Sequence, residues 1–273
     1  MADSWDDLVR RVDPDRYLSS LFAPQALRAE LNVVYAFNYE VAKTAETVSQ
    51  PIAGAIRLQW WRDRIAELYR GAAIDHPLVD ALSRVIATHQ LPRDLFDALI
   101  DAREHDLEEA PFPTLESLED YADATSGNVM RLAARILGAG ETLDMHVRDL
   151  GIAYAVTGLC RALPFHAARR RLMLPADRLA ASRISIEDVF AAKAGQRLQP
   201  LLEDMAAQAR SHLAARRDRI ARSHLPAVLP AAVVPLYLRA LTRPGFDVFR
   251  DSTEFGAHRR QLAMLGAMIR RRV

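Results

Sequence analysis

Apolar positions recur at three- and four-residue steps along almost the whole chain, the period of helices with one buried face. Between residues 24 and 48 the repeat runs through Leu27, Leu31, Val34, Val41, Ala45 and Val48, with Pro24 suited to a first helical turn. The same spacing predicts helices over residues 51–70, ended by Gly71, then over 78–88 and over 93–109, closed by Pro111-Phe112-Pro113. Thr114 and Ser117 open another run that reaches Leu137 and stops at Gly138 and Gly140. Residues 143–163 are mostly apolar on every side, which predicts a helix in the middle of a bundle. After Pro175 the pattern predicts short helices over 175–181 and 186–194, a long Arg-rich helix over 197–223, and two more over 226–241 and 254–272. No stretch alternates with period two, and no Asn-Gly or Asp-Gly turn occurs. With no linker and no repeat, these elements predict a single all-α domain over residues 1–273.

Composition supports a sizeable core: 50% of the 273 residues are hydrophobic and 26% are charged. The lone cysteine, Cys160, excludes an internal disulfide and a Cys-cluster metal site, and it fits a reducing, cytoplasmic setting. The first residues are acidic and lack an apolar core, so neither a secretory leader nor a transit peptide is expected. No transmembrane segment is expected either. The nearest candidate, residues 225–238, carries Pro226, Pro230 and Pro235 and stops at Arg239.

Charge changes the picture more. Residues 205–273 hold 13 Arg against four acidic residues, a net +9 in a chain whose total is +1. Such a tail fits a surface that meets something anionic, or else an Arg-rich solvated helix face. Nucleic acid is not among the expected partners.

Familiar catalytic signatures are absent: there is no GxGxxG, no phosphate loop ending in Gly-Lys-Ser/Thr, no HExxH and no GxSxG. The eight His show no metal-ligand spacing. His105 lies in an acidic patch, Glu104 to Glu109, that reads as a solvated helix end or as a divalent-ion site.

Three stretches carry more information. They are Val34-Tyr35-Ala36-Phe37-Asn38-Tyr39-Glu40 running on to Glu46, then Ile56-Arg57-Leu58-Gln59-Trp60-Trp61-Arg62, then residues 149–175 through Arg161 to Leu174-Pro175. Asp106-Leu107, Tyr121 with Ser126-Gly127-Asn128-Val129, and Gly245-Phe246-Asp247-Val248-Phe249 fall between and after them. In this order the chain resembles the squalene/phytoene synthase family of head-to-head prenyl transferases. The resemblance implies an isoprenoid-synthase-type helical bundle around a central cavity.

It also implies paired Asp motifs on facing helices that hold Mg²⁺ against a substrate diphosphate. Here the corresponding positions are Ala42, Glu46, Ala162 and His166, and the family's preceding Gln and Asn are Ala155 and Gly158. Alanine coordinates nothing, and Lys43 adds a positive charge beside the first pair. No catalytic residue, no bound metal and no Mg²⁺ cofactor are therefore expected.

What survives of the frame points to ligand binding by Tyr35, Arg57, Trp60, Arg161, His166 and Arg171. Trp60, Trp61 and Tyr35 also read as core and cavity lining, and Cys160 as a packed small residue. A buried Arg161 needs a partner, with Glu46 and Asp106 as candidates. His166 reads as a ligand, a proton carrier or a satisfied His. Arg169, Arg170 and Arg171 read as a phosphate or headgroup clamp, or as a solvated basic loop.

The segment Arg161-Ala162-Leu163-Pro164-Phe165-His166 with Ala36-Phe37-Asn38-Tyr39-Glu40 is most similar to one branch, the synthase-like assembly factors of respiratory complex I. That similarity implies a catalytically silent protein with complex I subunits or assembly proteins as partners, peripheral to the inner face of a membrane, with an isoprenoid or anionic lipid in the cavity. Two alternatives stand beside it. One is a prenyl transferase with an altered Mg²⁺ site built on Glu46 and Asp106. The other is a scaffold docking a partner on the 197–223 helix through Arg216, Arg217 and Arg219.

Overall fold

A helix with apolar residues on every side is enclosed along much of its length, and ten of the 18 residues of Asp144–Arg161 are buried. In the computed structural model, which describes residues 4–215 and 219–273, its Val147, Leu150, Ile152, Val156 and Cys160 are all buried. Gln199–Ala215, Leu115–Ala122, Asn128–Ile136 and Val234–Leu241 pack around it. Its first half, through Val147 and Leu150, belongs to an apolar cluster built on Gln25–Ala42, Pro51–Leu68, Pro77–His89 and Arg93–Ala102. Its second half joins a cluster with Leu201, Leu202, Met205, Leu238 and Leu241. Phe37 locks the first cluster, meeting Trp61 edge-on at 5.3 Å and Phe96 at 5.4 Å. Among the described residues there is no strand; one isolated bridge joins Phe112 and Pro175.

Several helices end earlier than the apolar period implies, and the breaks matter. The 93–109 run stops at Ala102 and continues as a 3₁₀ turn, His105–Leu107. The 114–137 run is interrupted by a π turn, Asp123–Gly127. The 143–163 run ends at Arg161 and restarts as Leu163–Ala167. Pro164 there has no N–H to offer the carbonyl of Cys160. The 197–223 run begins as a 3₁₀ turn, becomes helix over Gln199–Ala215, and is not helical at 219–223. Arg216 and Arg217 lie outside the described residues.

Two helices arise that the apolar period did not predict, Trp5–Val12 and Pro14–Ser20. Both are set by caps. Ser4 accepts from the Asp7 N–H at 3.2 Å, and Asp13 accepts from the Arg16 N–H at 3.1 Å with Pro14 following it. His212 then ties three helices together. Its ring nitrogens lie 3.2 Å from Asp149 and 3.1 Å from Glu119.

Candidate functional site

Two adjoining cavities open where the central helix ends. The larger, about 240 Å³, is lined by the guanidiniums of Arg16, Arg103 and Arg161. Asn38, Tyr121, Thr125, Ser126, Tyr154, Thr157 and Tyr237 are its other polar lining residues, and among the described residues no Asp or Glu lines it. The smaller, about 120 Å³, contains Ala42, Glu46, Asp106, His166, Arg169 and Arg171. Arg103, Tyr121 and Leu159 line both and form the partition.

The breaks in the helices place these groups. The 3₁₀ turn after Ala102 sets Arg103 and Asp106 three residues apart on one side, where they pair at 3.1 Å. Tyr121 donates to the other Asp106 oxygen at 2.7 Å and accepts from Arg103 at 2.7 Å. Burial, opposed by Arg103, holds the Tyr121 phenol well above its ordinary range, so it stays protonated and donating. The π turn presents Thr125 and Ser126 to the larger cavity. Ser126 accepts from Arg16 at 3.1 Å, and Asp13 holds the other side of that guanidinium at 2.7 Å. Arg16 is only 6% exposed, and its Nε and that of Arg103 are buried without a protein acceptor. Each guanidinium is therefore anchored from behind and keeps donor capacity.

Arg161 has a different partner from the one its sequence context suggests. It ends the central helix, lies 3.6 Å above the Tyr237 ring, and pairs with exposed Glu254 at 2.9 Å rather than with Glu46 or Asp106. Tyr237 in turn donates to buried Asp15 at 3.1 Å.

The four positions that the resemblance aligns with the metal motifs lie at the two adjoining cavities. Ala42, Glu46 and His166 line the smaller cavity and Ala162 the larger. Neither pair sits on an unbroken helix, however. One helix ends at Ala42 and the other at Arg161, in each case between the two members of a pair or just before them. Lys43 is held by Glu40 and stacks 5.0 Å from the Tyr39 ring. Arg171 joins the two motif regions by donating to the Ala45 carbonyl at 2.7 Å. Arg169 lies 3.7 Å over Phe165, and Arg170 pairs with Glu187 at 2.8 Å outside the cavities.

Three of the residues proposed to bind ligand line neither cavity. Tyr35 is buried in the first apolar cluster, 5.9 Å from Arg16. Arg57 pairs with Glu40 at 3.4 Å, and Trp60 packs edge-on to Trp61 at 4.8 Å and beneath Arg64. Conversely, Arg16, Arg103, Tyr154 and Tyr237 line the larger cavity without having been singled out in the sequence. Only Arg16 left a legible trace, in the Asp13-Pro14 start of its helix.

His166 gives the site a pH signature. Burial pushes its imidazole down to about 4; Asp106 opposes this, while Arg171, Arg103 and Arg169 reinforce it. The folded value lies below the unfolded one of 6.5. The unfolded chain therefore takes up a proton that the folded chain refuses, and stability is full above about pH 6.5 and falls as pH drops towards 4. Between pH 7 and pH 4.5 the native chain should lose about 2 kcal/mol more than His166→Gln, read by denaturant titration of both. Equal losses would show that His166 is solvated.

Among the described residues, no group of three or more His, Cys, Asp or Glu is arranged to hold a metal ion. No helix among them is long and apolar enough to cross a membrane.

Comparison with known proteins places this geometry. A mouse (Mus musculus) protein, NADH dehydrogenase (ubiquinone) complex I assembly factor 6, is 28% identical over 252 residues, covering 91% of this chain and 76% of its own. Presqualene diphosphate synthase of Rhodopseudomonas palustris is 28% identical over 246 residues, 88% of each chain. The fold matches a dehydrosqualene synthase crystal structure with a TM-score of 0.79 over 97% of this chain and 94% of that one, at 15% identity. The sequence profile of squalene/phytoene synthases spans residues 9–264, from the first helix into the last. The chain belongs to the squalene/phytoene synthase family.

Proposed function

We propose that this chain acts in the assembly of respiratory complex I as a synthase-fold protein without prenyl-transferase activity, and that its larger cavity takes the head of an isoprenoid or anionic lipid. One observation carries the reading: cations line the space where the family's chemistry calls for carboxylates. Ala42 and Ala162 have no donor atom, Glu46 is exposed, and Asp106 is already engaged by Arg103 and Tyr121. Mg²⁺ needs several oxygen ligands in a near-octahedral set. With Arg103, Arg169 and Arg171 lining the same cavity, these residues do not suit a metal–diphosphate cluster.

A metal-free anion suits them better. Arg16, Arg103 and Arg161 line one cavity together with hydroxyl-bearing residues, and their carboxylate partners Asp13, Asp106 and Glu254 hold them from outside its lining. Kinship with the complex I assembly factors supplies the biological setting, with complex I subunits or other assembly proteins as partners. The protein then works at the edge of the membrane rather than through it.

Three measurements separate the parts of this reading. Purified chain with Mg²⁺ and farnesyl or geranylgeranyl diphosphate should release no diphosphate; turnover would establish a transferase with an altered metal site. A variant carrying Ala42→Asp, Glu46→Asp, Ala162→Asp and His166→Asp provides the comparison. Cells lacking the chain should assemble less complex I, and normal assembly would sink the biological half. Mass spectrometry of an organic extract of the purified protein tests the cavity ligand.

A further inference from the structure

The C-terminal helix, Ala257–Arg270, has two apolar faces. One is used inside the protein, where Met264 and Ala267 are buried with Leu229, Val233 and Tyr237. The other points outward. Leu262, Leu265 and Ile269 are 65%, 46% and 68% exposed, and they fall within about 60° of one another at about 100° per residue. Leu21, 40% exposed, follows the second helix and lies across an apolar groove of about 520 Å³ walled by Leu18, Phe22, Leu262 and Leu265. A solvated face does not need a continuous patch of this kind.

The segment that carries the outward face holds charge of one sign. Residues 256–273 contain five arginines and no acidic residue. Arg260 is turned inward onto buried Asp15 at 2.9 Å. Arg259, Arg270 and Arg272 are exposed, and no ion pair with a described carboxylate holds them. On the helix, Arg259 and Arg270 stand about 60–80° to one side of Leu262. Apolar side chains flanked by unpaired guanidiniums complement a surface that is anionic outside and hydrocarbon within.

We propose that the Ala257–Arg270 helix lies in the interface of an anionic bilayer, with Leu262, Leu265, Ile269 and Leu21 inserted among the acyl chains. The groove beside them receives part of one chain. This rests on the membrane-edge part of the function proposed above and is independent of the cavity and its ligand.

The test is co-sedimentation of the full chain with vesicles of phosphatidylcholine alone or with about 30% phosphatidylglycerol. Binding to the anionic vesicles should be at least about tenfold tighter. Arg270→Gln should weaken it about fivefold, the contribution of one basic residue near such a surface. Leu262→Glu with Ile269→Glu, both at exposed positions, should abolish binding while the melting temperature stays unchanged. Undiminished binding by that double variant would overturn the inference, leaving electrostatic adsorption alone. So would a chain that ignores vesicles but self-associates through the patch, seen by sedimentation velocity and lost in the double variant. Vesicle binding in a protein that proves dispensable for complex I assembly would support the membrane face and sink the assembly reading separately.

Discussion

Gly151→Ala is expected to destabilise the fold by about 3 kcal/mol, because a Cβ at that position would lie 2.5 Å from the Gly127 Cα and 2.8 Å from its nitrogen. Both contacts are backbone, so no side chain can swing aside. The central helix would have to withdraw from the π turn that presents Thr125 and Ser126 to the cavity. A loss of that size in a chain of this length lowers the melting temperature by about 6–12 °C. Gly158→Ala on the same helix is the control. Nothing lies within 4 Å of its Cβ position, so the change should be neutral or stabilise by up to about 1 kcal/mol. Calorimetry of both variants decides the matter, and equal effects would show that the helix and the turn are not in contact.

Asp106→Ala should cost about 3–4 kcal/mol, the second large effect. Asp106 is 8% exposed and receives both Arg103 and Tyr121. Its removal strands a guanidinium and a phenol in the partition between the cavities. Asp106→Asn keeps an acceptor for Tyr121 but leaves Arg103 without its counter-charge, and should lose somewhat less than Asp106→Ala. Arg103→Met with Asp106→Leu removes both charges together and should recover most of the loss, since no unpaired charge is left buried. Denaturant unfolding of the three variants measures this. If the double variant were no better than Asp106→Ala, the pair would not be the source of the cost.

Most helices were legible because their apolar side chains repeat with the period of one buried face, and residues 144–161 were legible as the centre because apolar residues occur on every side. Where helices stop was less legible. The period carries straight through Ala102, Asp123 and Arg161, yet a 3₁₀ turn, a π turn and a proline-led restart intervene. The first two helices went unread because their signal is capping rather than apolar period.

The site divides in the same way. The family resemblance set Ala42, Glu46, Ala162 and His166 at the positions of the metal motifs, and Ala42, Glu46 and His166 line the smaller cavity and Ala162 the larger. Arg57 and Trp60 share the family-like stretch but meet Glu40, Trp61 and Arg64 rather than either cavity. Arg161 looked like a buried charge, and the chain end brings it Glu254 from 93 residues away.

The sequence by itself determined the helical class, the family and which residue types stand at positions 42, 46, 162 and 166, because each is a property of residue type and spacing along the chain. The tertiary structure decided which cations share a cavity and which carboxylates anchor them. It also decided why Gly151 must be glycine and which face of the last helix is left uncovered. Those depend on side chains distant in sequence, such as Arg16 with Ser126 and Asp15 with Arg260, and no local pattern encodes their meeting.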